Sequence, residues 1–376
     1  MPTTKERFQK VFHYEEFDRP PDFEFGYWEE TLEKWINQEK IPQNILQNND
    51  DENFQEKAEK YFGFERRQTL PIDVDLNPRF ERKVVEEDER TRIVRNERGI
   101  TCRELKNHET MPEWIDFPVK DYSDFEKMKK RYDPSDPRRY PSDWEKLAEK
   151  YSKRNYPLGI FCGSLYGWLR YWMGFERLSK KFVKEPDFVD EMMSFLTEHI
   201  YEVVKHALEK CEKHSIQLDF SAWWEDMCFN KGPLISPNLF KKFMVPKYKK
   251  ITTLLEKHGV DIHYVDSDGK IDELVPLWLE GGINCMFPVE VAHTPPERIR
   301  EKFGKDVLMM GGIDKRALIK GTKEAIDEEL EKLPPLLETG GYIPHVDHRV
   351  PADVNFDSYK YYMKKKREII GRETDN

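Results

Sequence analysis

The sequence predicts an α/β fold, a (β/α)₈ TIM barrel, and three observations support this prediction. Eight short apolar or β-branched segments follow one another along the 376 residues. From Leu158 onward, amphipathic segments with a period near 3.6 residues, which is typical of helices, separate these apolar segments. Strands that alternate with helices pair in parallel, and eight of them close one barrel. An open doubly wound sheet, which eight parallel strands also allow, is the alternative.

The predicted strands are bounded by polar turns. In chain order they cover residues 22–28, 68–76, 156–163, 216–223, 260–266, 283–289, 307–312 and 341–346. The predicted helices of the barrel cover residues 177–212, 237–258, 271–280, 295–303, 323–338 and 356–370. The residues before the first strand predict an N-terminal helical extension. We therefore expect a single barrel domain over residues 1–376, with an insertion at about 79–154.

The insertion lies between the second and third predicted strands. Residues 79–105 alternate with period two around the turn NERG at 96–99, and this pattern predicts a β-hairpin. The charged, Pro-rich stretch 111–154 follows, and it predicts helices joined by the loop DPSDPRRYPSD. We expect neither part to contribute a strand to the barrel.

The composition excludes several classes of protein. The chain is 38% hydrophobic and 13% aromatic, which is enough to form a core. Its net charge is −10 without a cluster of Lys and Arg, so we expect no nucleic-acid or membrane partner. The five cysteines are scattered without a CxxC pair, and the first residues contain no apolar run of signal-peptide length. These features predict a cytoplasmic protein.

The predicted strand ends carry the candidate functional residues, because catalytic groups of a barrel follow the carboxyl ends of its strands. These positions are rich in carboxylates, aromatic rings and histidines. The residues concerned are Trp28, Asp75, Tyr166, Trp223, Trp224, Glu225, Asp226, Asp266, Asp268, Glu290, His345 and His348.

Two chemical interpretations fit this acidic cluster. Several carboxylates and two histidines at one mouth are suitable ligands for a divalent cation. Without a cation, crowded carboxylates raise one another's pKa, which favours acid/base chemistry. A purely structural role is the alternative, since the segment 266–269 could cap the next helix and the tryptophans could pack the core.

Several segments near these strand ends resemble one known superfamily. They are KERF and FDRPP near the start, KGPLISPNLFKKFMVPKYKKI, HYVDSDGKIDELVPLWLEGGIN, MGGIDKRALIKGT and GGYIPHVDHRVPADV. Their order and spacing are similar to those of the uroporphyrinogen decarboxylase-like superfamily, which includes corrinoid-dependent methyltransferases such as the methylcobalamin:coenzyme M enzymes. The resemblance implies a (β/α)₈ barrel, which the strand pattern predicts independently.

The decarboxylase branch of this superfamily places arginines after the first strand and an aspartate after the second. Here the first loop reads GYWEETLEKW and contains no arginine, although Asp73 or Asp75 could stand for the aspartate. Arginine is the residue best suited to hold carboxylates, so the counter-charge for a polycarboxylate is missing. We therefore do not expect decarboxylation of uroporphyrinogen itself.

The methyltransferase branch holds zinc with a His-x-Cys-Gly motif after the fifth strand and a Cys after the eighth. The matching positions here are Asp266, Asp268 and His348, so both thiolates are replaced. The resemblance implies that these three residues bind a divalent metal, either zinc or a harder cation.

Together these features predict a methyltransferase that moves a methyl group between a small, for example methoxylated, substrate and a corrinoid. We expect a partner protein to carry the corrinoid, since the chain has no DxHxxG motif. The resemblance is also compatible with a homodimer. The predicted catalytic residues are Tyr166, Glu225, Asp226 and Glu290, and the predicted substrate-binding residues are Trp28, Asp75, Trp223, Trp224 and His345.

Three alternatives remain open at this point. One is a decarboxylase or lyase that binds a smaller acid through a cation or through Arg170 and Arg349. The second is a metal-dependent hydrolase that uses the same carboxylates and histidines. The third is a binding protein without catalytic activity.

Overall fold

The computed structural model describes residues 1–47, 52–106 and 112–373. The strands are β1 (Gln68–Thr69), β2 (Lys83–Glu87), β3 (Thr91–Arg95), β4 (Thr101–Leu105), β5 (Glu113–Asp116), β6 (Leu158–Phe161), β7 (Phe220–Trp224), β8 (Cys228–Phe229), β9 (Gly232–Pro233), β10 (His263–Asp266), β11 (Cys285–Val289), β12 (Leu308–Ile313) and β13 (Tyr342–Val346).

The helices cover both the ends and the outer side of the main sheet. They are α1 (Thr4–Phe12), α2 (Glu29–Asn37), α3 (Phe54–Tyr61), α4 (Tyr122–Lys129), α5 (Trp144–Ser152), α6 (Tyr166–Met173), α7 (Phe175–Lys184), α8 (Pro186–Lys213), α9 (Pro237–Phe243), α10 (Val245–Lys257), α11 (Val275–Glu280), α12 (Pro296–Phe303), α13 (Lys315–Lys320), α14 (Lys323–Leu330), α15 (Leu333–Thr339) and α16 (Phe356–Ile370). In the described part of the chain, no helix has both the length and the apolar surface needed to cross a bilayer.

The main sheet contains seven parallel strands in the order β1, β6, β7, β10, β11, β12, β13. Each of these strands lies at the position of a predicted strand, and helices connect most neighbours, as parallel pairing requires. The α/β fold predicted from the sequence is therefore confirmed. The predicted helix 177–212 is divided into α7 and α8 at Glu185–Pro186, since a proline is favoured in the first turn of a helix.

The first predicted strand, residues 22–28, is wrong as a strand. The segment is extended, but its one β-bridge joins Tyr27 to Val350, and Glu65 N donates to Asp22 O at 3.0 Å on its other side. It therefore connects the chain before β1 to the chain after β13. Glu24 Oε1 accepts a hydrogen bond from Val346 N at 3.0 Å. A side-chain oxygen therefore accepts the bond that a backbone carbonyl of a neighbouring strand would accept in a sheet.

Buried charges hold this first segment against the last helix. The carboxylate of Asp22 is fully buried and lies 3.0 Å from Lys366 Nζ and 2.8 Å from Arg367 Nε, and Arg372 also contacts it. Lys366 Nζ, itself fully buried, donates to the carbonyl oxygen of Phe23 at 2.6 Å. These contacts replace most of the backbone ladder that an eighth strand would have made.

Apolar side chains fill both sides of the main sheet. On its inner side, Phe220, Ile262 and Leu308 are buried with Phe8 and Phe12 from α1. Gly341 N donates to Val11 O, so α1 lies at the amino ends of the strands. The carboxyl ends are left as the open side, which is the position of the candidate site.

The predicted hairpin around the turn 96–99 is present as β3 and β4, and it is part of a larger sheet. Strands β2 to β5 form a separate four-stranded antiparallel sheet, and the turn at Asn96 joins β3 to β4. Helices α4 and α5 follow it. Strand β1 is also shorter than predicted, because the side chain of Asp73 accepts from Asp75 N at 3.0 Å and turns the chain.

Candidate active site

Asp266 ends strand β10 and is the central residue of the candidate site. Its register partners are Trp224 on β7 and Phe287 on β11. Side chains two residues apart on a strand face the same side, so Asp266 shares the inner face of the sheet with Tyr264, whose ring contacts Phe287. The side chain of Asp266 is half-buried and makes no hydrogen bond to any other residue that the structure describes.

The surroundings of Asp266 favour its protonated form. Burial raises the pKa of the Asp266 carboxyl well above its ordinary value, and the carboxylates of Asp268 and Asp226 raise it further. The guanidinium groups of Arg349 and Arg67 act in the opposite direction but are the weaker influence. These influences shift Asp266 toward the protonated form, in which a carboxyl group can donate a proton.

Asp268 and His348 form a pair at the rim of the site. His348 Nε2 lies 3.5 Å from Asp268 Oδ2, and the imidazole ring stacks on Trp28 at a centroid distance of 6.1 Å. Both side chains are partly exposed, whereas Asp268 Oδ1 is buried without a hydrogen-bond partner. The predicted substrate-binding residue Trp28 is thus placed at the opening.

The predicted metal site is not assembled in this arrangement. In residues 1–47, 52–106 and 112–373, no three side chains of His, Cys, Asp or Glu are grouped so that they could hold a metal ion. Asp268 approaches His348, and Asp266 interacts with Asp268 through charge. Metal binding by Asp266, Asp268 and His348 therefore stays a prediction, and we derive no chemical step from a metal.

Asp226 is held close to Asp266 by its backbone and by an arginine. Asp226 N donates to Asp266 O at 3.1 Å, and Asp226 has a positive φ of 43°, a conformation that is unfavourable for a residue with a Cβ. Arg170 Nη2 donates to Asp226 Oδ2 at 2.7 Å. This contact holds the side chain of Asp226 beside Asp266.

Glu225 points away from the site and holds the start of α6. It is fully buried, and its carboxylate accepts hydrogen bonds from the backbone N–H groups of Leu165, Tyr166 and Gly167. It also accepts from Ser164 Oγ at 2.9 Å and Tyr248 Oη at 2.6 Å. A carboxylate at this position caps the helix and complements its dipole. These contacts indicate that Glu225 positions α6, which carries Arg170.

We expect Glu225→Gln to lower the free energy of unfolding by about 2 kcal/mol, because the amide NH₂ would face buried donors that now have a partner. Urea denaturation measures this change. The matched control is Glu256→Gln on an exposed part of α10, which we expect to change stability by less than about 0.5 kcal/mol. Equal stability of the two variants would contradict the capping role.

The other predicted residues are distributed around the opening. Glu290 accepts from Gly269 N at 2.9 Å and lies 3.2 Å from Lys315 Nζ, so it holds the loop after β10. Asp75 forms an ion pair with Arg98 at 2.6 Å. The ring of Trp224 stacks on Tyr171 at 5.0 Å.

Two aromatic residues predicted for the pocket lie mainly within packed regions. Trp223 is 1% exposed and meets Tyr248 edge to face on the outer side of the sheet. Tyr166 is also buried, and its hydroxyl donates to Leu234 O at 3.5 Å. The alternation along β7 therefore directs Trp224, rather than Trp223, toward the inner face.

His345 lies on the inner face and is fully buried. Its Nδ1 atom lies 2.7 Å from the carbonyl oxygen of Val346, whereas Nε2 is buried without a hydrogen-bond partner. The imidazole contacts the rings of Phe25 and Phe287, at centroid distances of 6.1 and 5.3 Å. Burial lowers the pKa of His345 well below its ordinary value, and Arg67 lowers it further, so the ring is neutral.

Arg67 is a residue of this site that the sequence did not indicate. Its guanidinium lies 5.6 Å from the ring centroid of Phe287, and Nη2 donates to Glu24 O at 3.2 Å. Arg67 and Arg349 also line a cavity of about 390 Å³ beside β1. In the sequence, Arg67 directly precedes a predicted strand. That position does not show whether the side chain of an arginine lies on the surface or points into the site.

Comparisons with known proteins agree with this architecture. The family model for uroporphyrinogen decarboxylase (URO-D) matches residues 103–369. Uroporphyrinogen decarboxylases from two Campylobacter jejuni strains, 81-176 and 81116, are 23% identical over 266 residues, which is 68% of this chain and 72% of theirs. A methyltransferase from Methanosarcina mazei has a similar structure, with a TM-score of 0.65 at 14% identity, covering 98% of this chain and 99% of that one. At this identity, the structural likeness shows a shared fold.

Proposed function

The chain belongs to the uroporphyrinogen decarboxylase family, and from that premise we propose that it is a methyltransferase acting on a small methoxylated substrate. The observation that carries the proposal is the position of Asp266 at the carboxyl end of β10 on the inner face of the sheet, where burial and neighbouring carboxylates raise the pKa of its carboxyl. An acid in this position can protonate an oxygen that leaves a methyl group. The structural likeness to a methyltransferase from Methanosarcina mazei agrees with this choice.

Charge argues against a substrate with many carboxylates. The first segment ends in Trp28, Glu29 and Glu30 and supplies no arginine. Asp226 and Asp268 add negative charge beside Asp266, as their effect on its pKa shows. Anionic groups at an opening repel an anionic substrate, so a polycarboxylate would bind poorly.

The proposed step is a methyl transfer with proton donation. The bond between the methyl carbon and the substrate oxygen breaks, and the methyl carbon bonds to the acceptor. Asp266 gives its proton to the leaving oxygen, so that the product is an alcohol or phenol rather than its anion. Asp226, which is fixed by Arg170, raises the pKa of Asp266 and so favours the return of a proton from solvent to Asp266.

We propose a corrinoid, carried by a partner protein, as the methyl acceptor. A reduced corrinoid, when bound, supplies a nucleophilic metal centre that accepts the methyl group. The half-exposed Trp28, stacked on His348, offers a flat aromatic surface at the opening that suits a planar ring system. Trp28 and His348 would hold this ring system at the opening.

The test is an absorbance assay of cob(I)alamin methylation by the purified protein with a panel of methoxylated compounds. We expect methylation with at least one donor, and release of the matching hydroxyl compound in equal amount. The matched control is Asp261→Asn, which changes an exposed carboxylate just before β10 and should leave the rate unchanged. No methylation with any donor, with or without a corrinoid carrier, would contradict the proposal.

Decarboxylation of a small acid is the second candidate, and the two arginines favour it. Arg67 and Arg349 both act on Asp266, and neither forms an ion pair in the described part of the chain. They could hold one carboxylate while Asp266 protonates the carbon that loses CO₂. Release of CO₂ from a small acid, without any methyl transfer, would identify this activity.

A further inference from the structure

Two unpartnered polar atoms on the inner face of the sheet have opposite hydrogen-bonding character. Arg67 Nη1 carries N–H groups and is buried without an acceptor. His345 Nε2 is buried without a partner as well, and His345 is 0% exposed. Because Nδ1 of His345 faces the carbonyl oxygen of Val346, Nδ1 carries the proton and Nε2 presents a lone pair. One atom therefore needs an acceptor and the other needs a donor.

The two residues share one environment. The guanidinium of Arg67 and the imidazole of His345 both lie against the ring of Phe287, at 5.6 and 5.3 Å. The charge of Arg67 adds to the lowering of the pKa of His345 and opposes the rise that burial causes in the pKa of Tyr264, so the guanidinium is close to both. Leaving either buried atom unpaired is unfavourable, and native proteins rarely contain such atoms without a reason.

Arg67 has no strong partner elsewhere. Its one described hydrogen bond is the contact of Nη2 with the Glu24 carbonyl, and no carboxylate lies within ion-pair distance in the described ranges. Glu59 shares the 390 Å³ cavity with Arg67, but burial raises the pKa of Glu59 to about 7, so it is only partly charged at neutral pH. The guanidinium is therefore available to a ligand.

We infer that Arg67 and His345 form a subsite for a hydroxyl group on an aromatic ligand. A hydroxyl oxygen can accept from Arg67 Nη1 while its proton is donated to His345 Nε2, whereas an ether oxygen or a carboxylate can make only the first of these bonds. The rings of Phe25, Phe287 and Tyr264 surround this position and favour an aromatic body. The inference rests on the proposed function, and it assigns the substrate to the methoxylated phenols.

The test compares the binding of 2-methoxyphenol and methoxybenzene to the full chain by isothermal titration calorimetry, without any corrinoid. The two probes differ only in the hydroxyl. We expect wild-type protein to bind 2-methoxyphenol at least about tenfold more tightly, since a site built around a hydroxyl discriminates against the analogue that lacks it.

His345→Leu removes the acceptor at nearly constant volume and should bring the ratio of the two dissociation constants close to one. His345→Gln keeps an acceptor and should retain part of the preference. Arg67→Met tests the donor side independently if His345→Leu does not fold. His206→Leu on the exposed side of α8 is the matched control and should behave as wild type.

Equal binding of the two probes by wild-type protein would overturn the inference, because a water molecule would then fill the position. An unchanged preference in His345→Leu, or binding of neither probe, would overturn it as well. The proposed function is tested separately. Methyl transfer from other donors would stand without this subsite, and selective binding of 2-methoxyphenol without methyl transfer would leave the subsite but not the proposed function.

Discussion

Asp266→Asn is expected to lower kcat for methyl transfer by about 10²- to 10⁴-fold, since the amide cannot protonate the leaving oxygen. The volume and shape of the side chain are nearly unchanged, so substrate binding should change little. Steady-state kinetics with the best donor of the methoxylated panel measure both parameters. The control is Asp261→Asn, which lies just before the same strand and is exposed.

The pH dependence of the methyl-transfer rate shows whether Asp266 acts as an acid or has only a structural role. Asp266 acts in its protonated form, so activity should fall as the pH rises through its raised pKa. Asp268→Asn removes a neighbouring negative charge and should move this alkaline limb to lower pH. Arg349→Met removes a positive charge and should move the limb to higher pH. A limb that stays in place in both variants would mean that another group titrates.

We also expect Asp266→Asn to be more stable than wild type. The pKa of Asp266 is higher in the folded protein than in the unfolded chain, where it is about 3.9. Its contribution to stability is therefore complete below that value and is lost as the pH rises through the folded-state pKa. The amide that replaces the carboxyl does not ionise, so the stability of Asp266→Asn does not fall in this way. The variant should therefore be more stable than wild type at neutral and alkaline pH. Urea denaturation at several pH values measures the difference.

Asp22→Ala is expected to destabilise the protein by about 3–5 kcal/mol, the usual effect of removing one partner of a buried ion pair. It leaves Lys366 fully buried without its carboxylate, and it removes the contacts of Arg367 and Arg372. Urea denaturation should show this loss, whereas Asp353→Ala in an exposed loop should stay within about 0.5 kcal/mol of wild type.

The double variant Asp22→Ala/Lys366→Met should recover much of that loss, because an apolar pair no longer leaves a buried charge unpaired. Burial by itself raises the pKa of Asp22, but Lys366, Arg367 and Arg372 lower it below its ordinary value. The contribution of Asp22 is therefore present above the unfolded-state pKa and is lost as the pH falls, so wild type and Asp22→Ala should converge in stability in acid. A constant difference at all pH values would count against the ion pair.

The sequence predicted most of the main sheet because its strands are continuous apolar runs. Seven of the eight predicted strands are present, from β1 to β13, because strands that are buried on both faces need such runs. Residues 22–28, DFEFGYW, instead contain polar residues among the apolar ones, and they lack the backbone ladder. The polar residues Asp22 and Glu24 are bonded to the last helix and to Val346, and these partners are more than 320 residues away in the chain.

The candidate site was predicted in part. The sequence indicated the mouth and named Asp266, Asp268, His348 and His345, because they follow or end strands. The grouping of Asp266, Asp268 and His348 as metal ligands depended on their match to motif positions of the family. The described residues contain no group of three such side chains that could hold a metal ion. Glu225 and Asp226 are neighbours in sequence, yet one caps a helix and the other faces Asp266.

The sequence by itself determined the fold class, the location of the site and the acidic character of its opening, since strand periodicity and residue type are local properties. Only the tertiary structure decided that the pKa of Asp266 is raised, that Arg67 points inward and that His345 has a free nitrogen. Burial and distances between charges determine these properties, and both depend on which distant segments meet. A residue's chemistry is therefore fixed by neighbours that the order of the chain does not show.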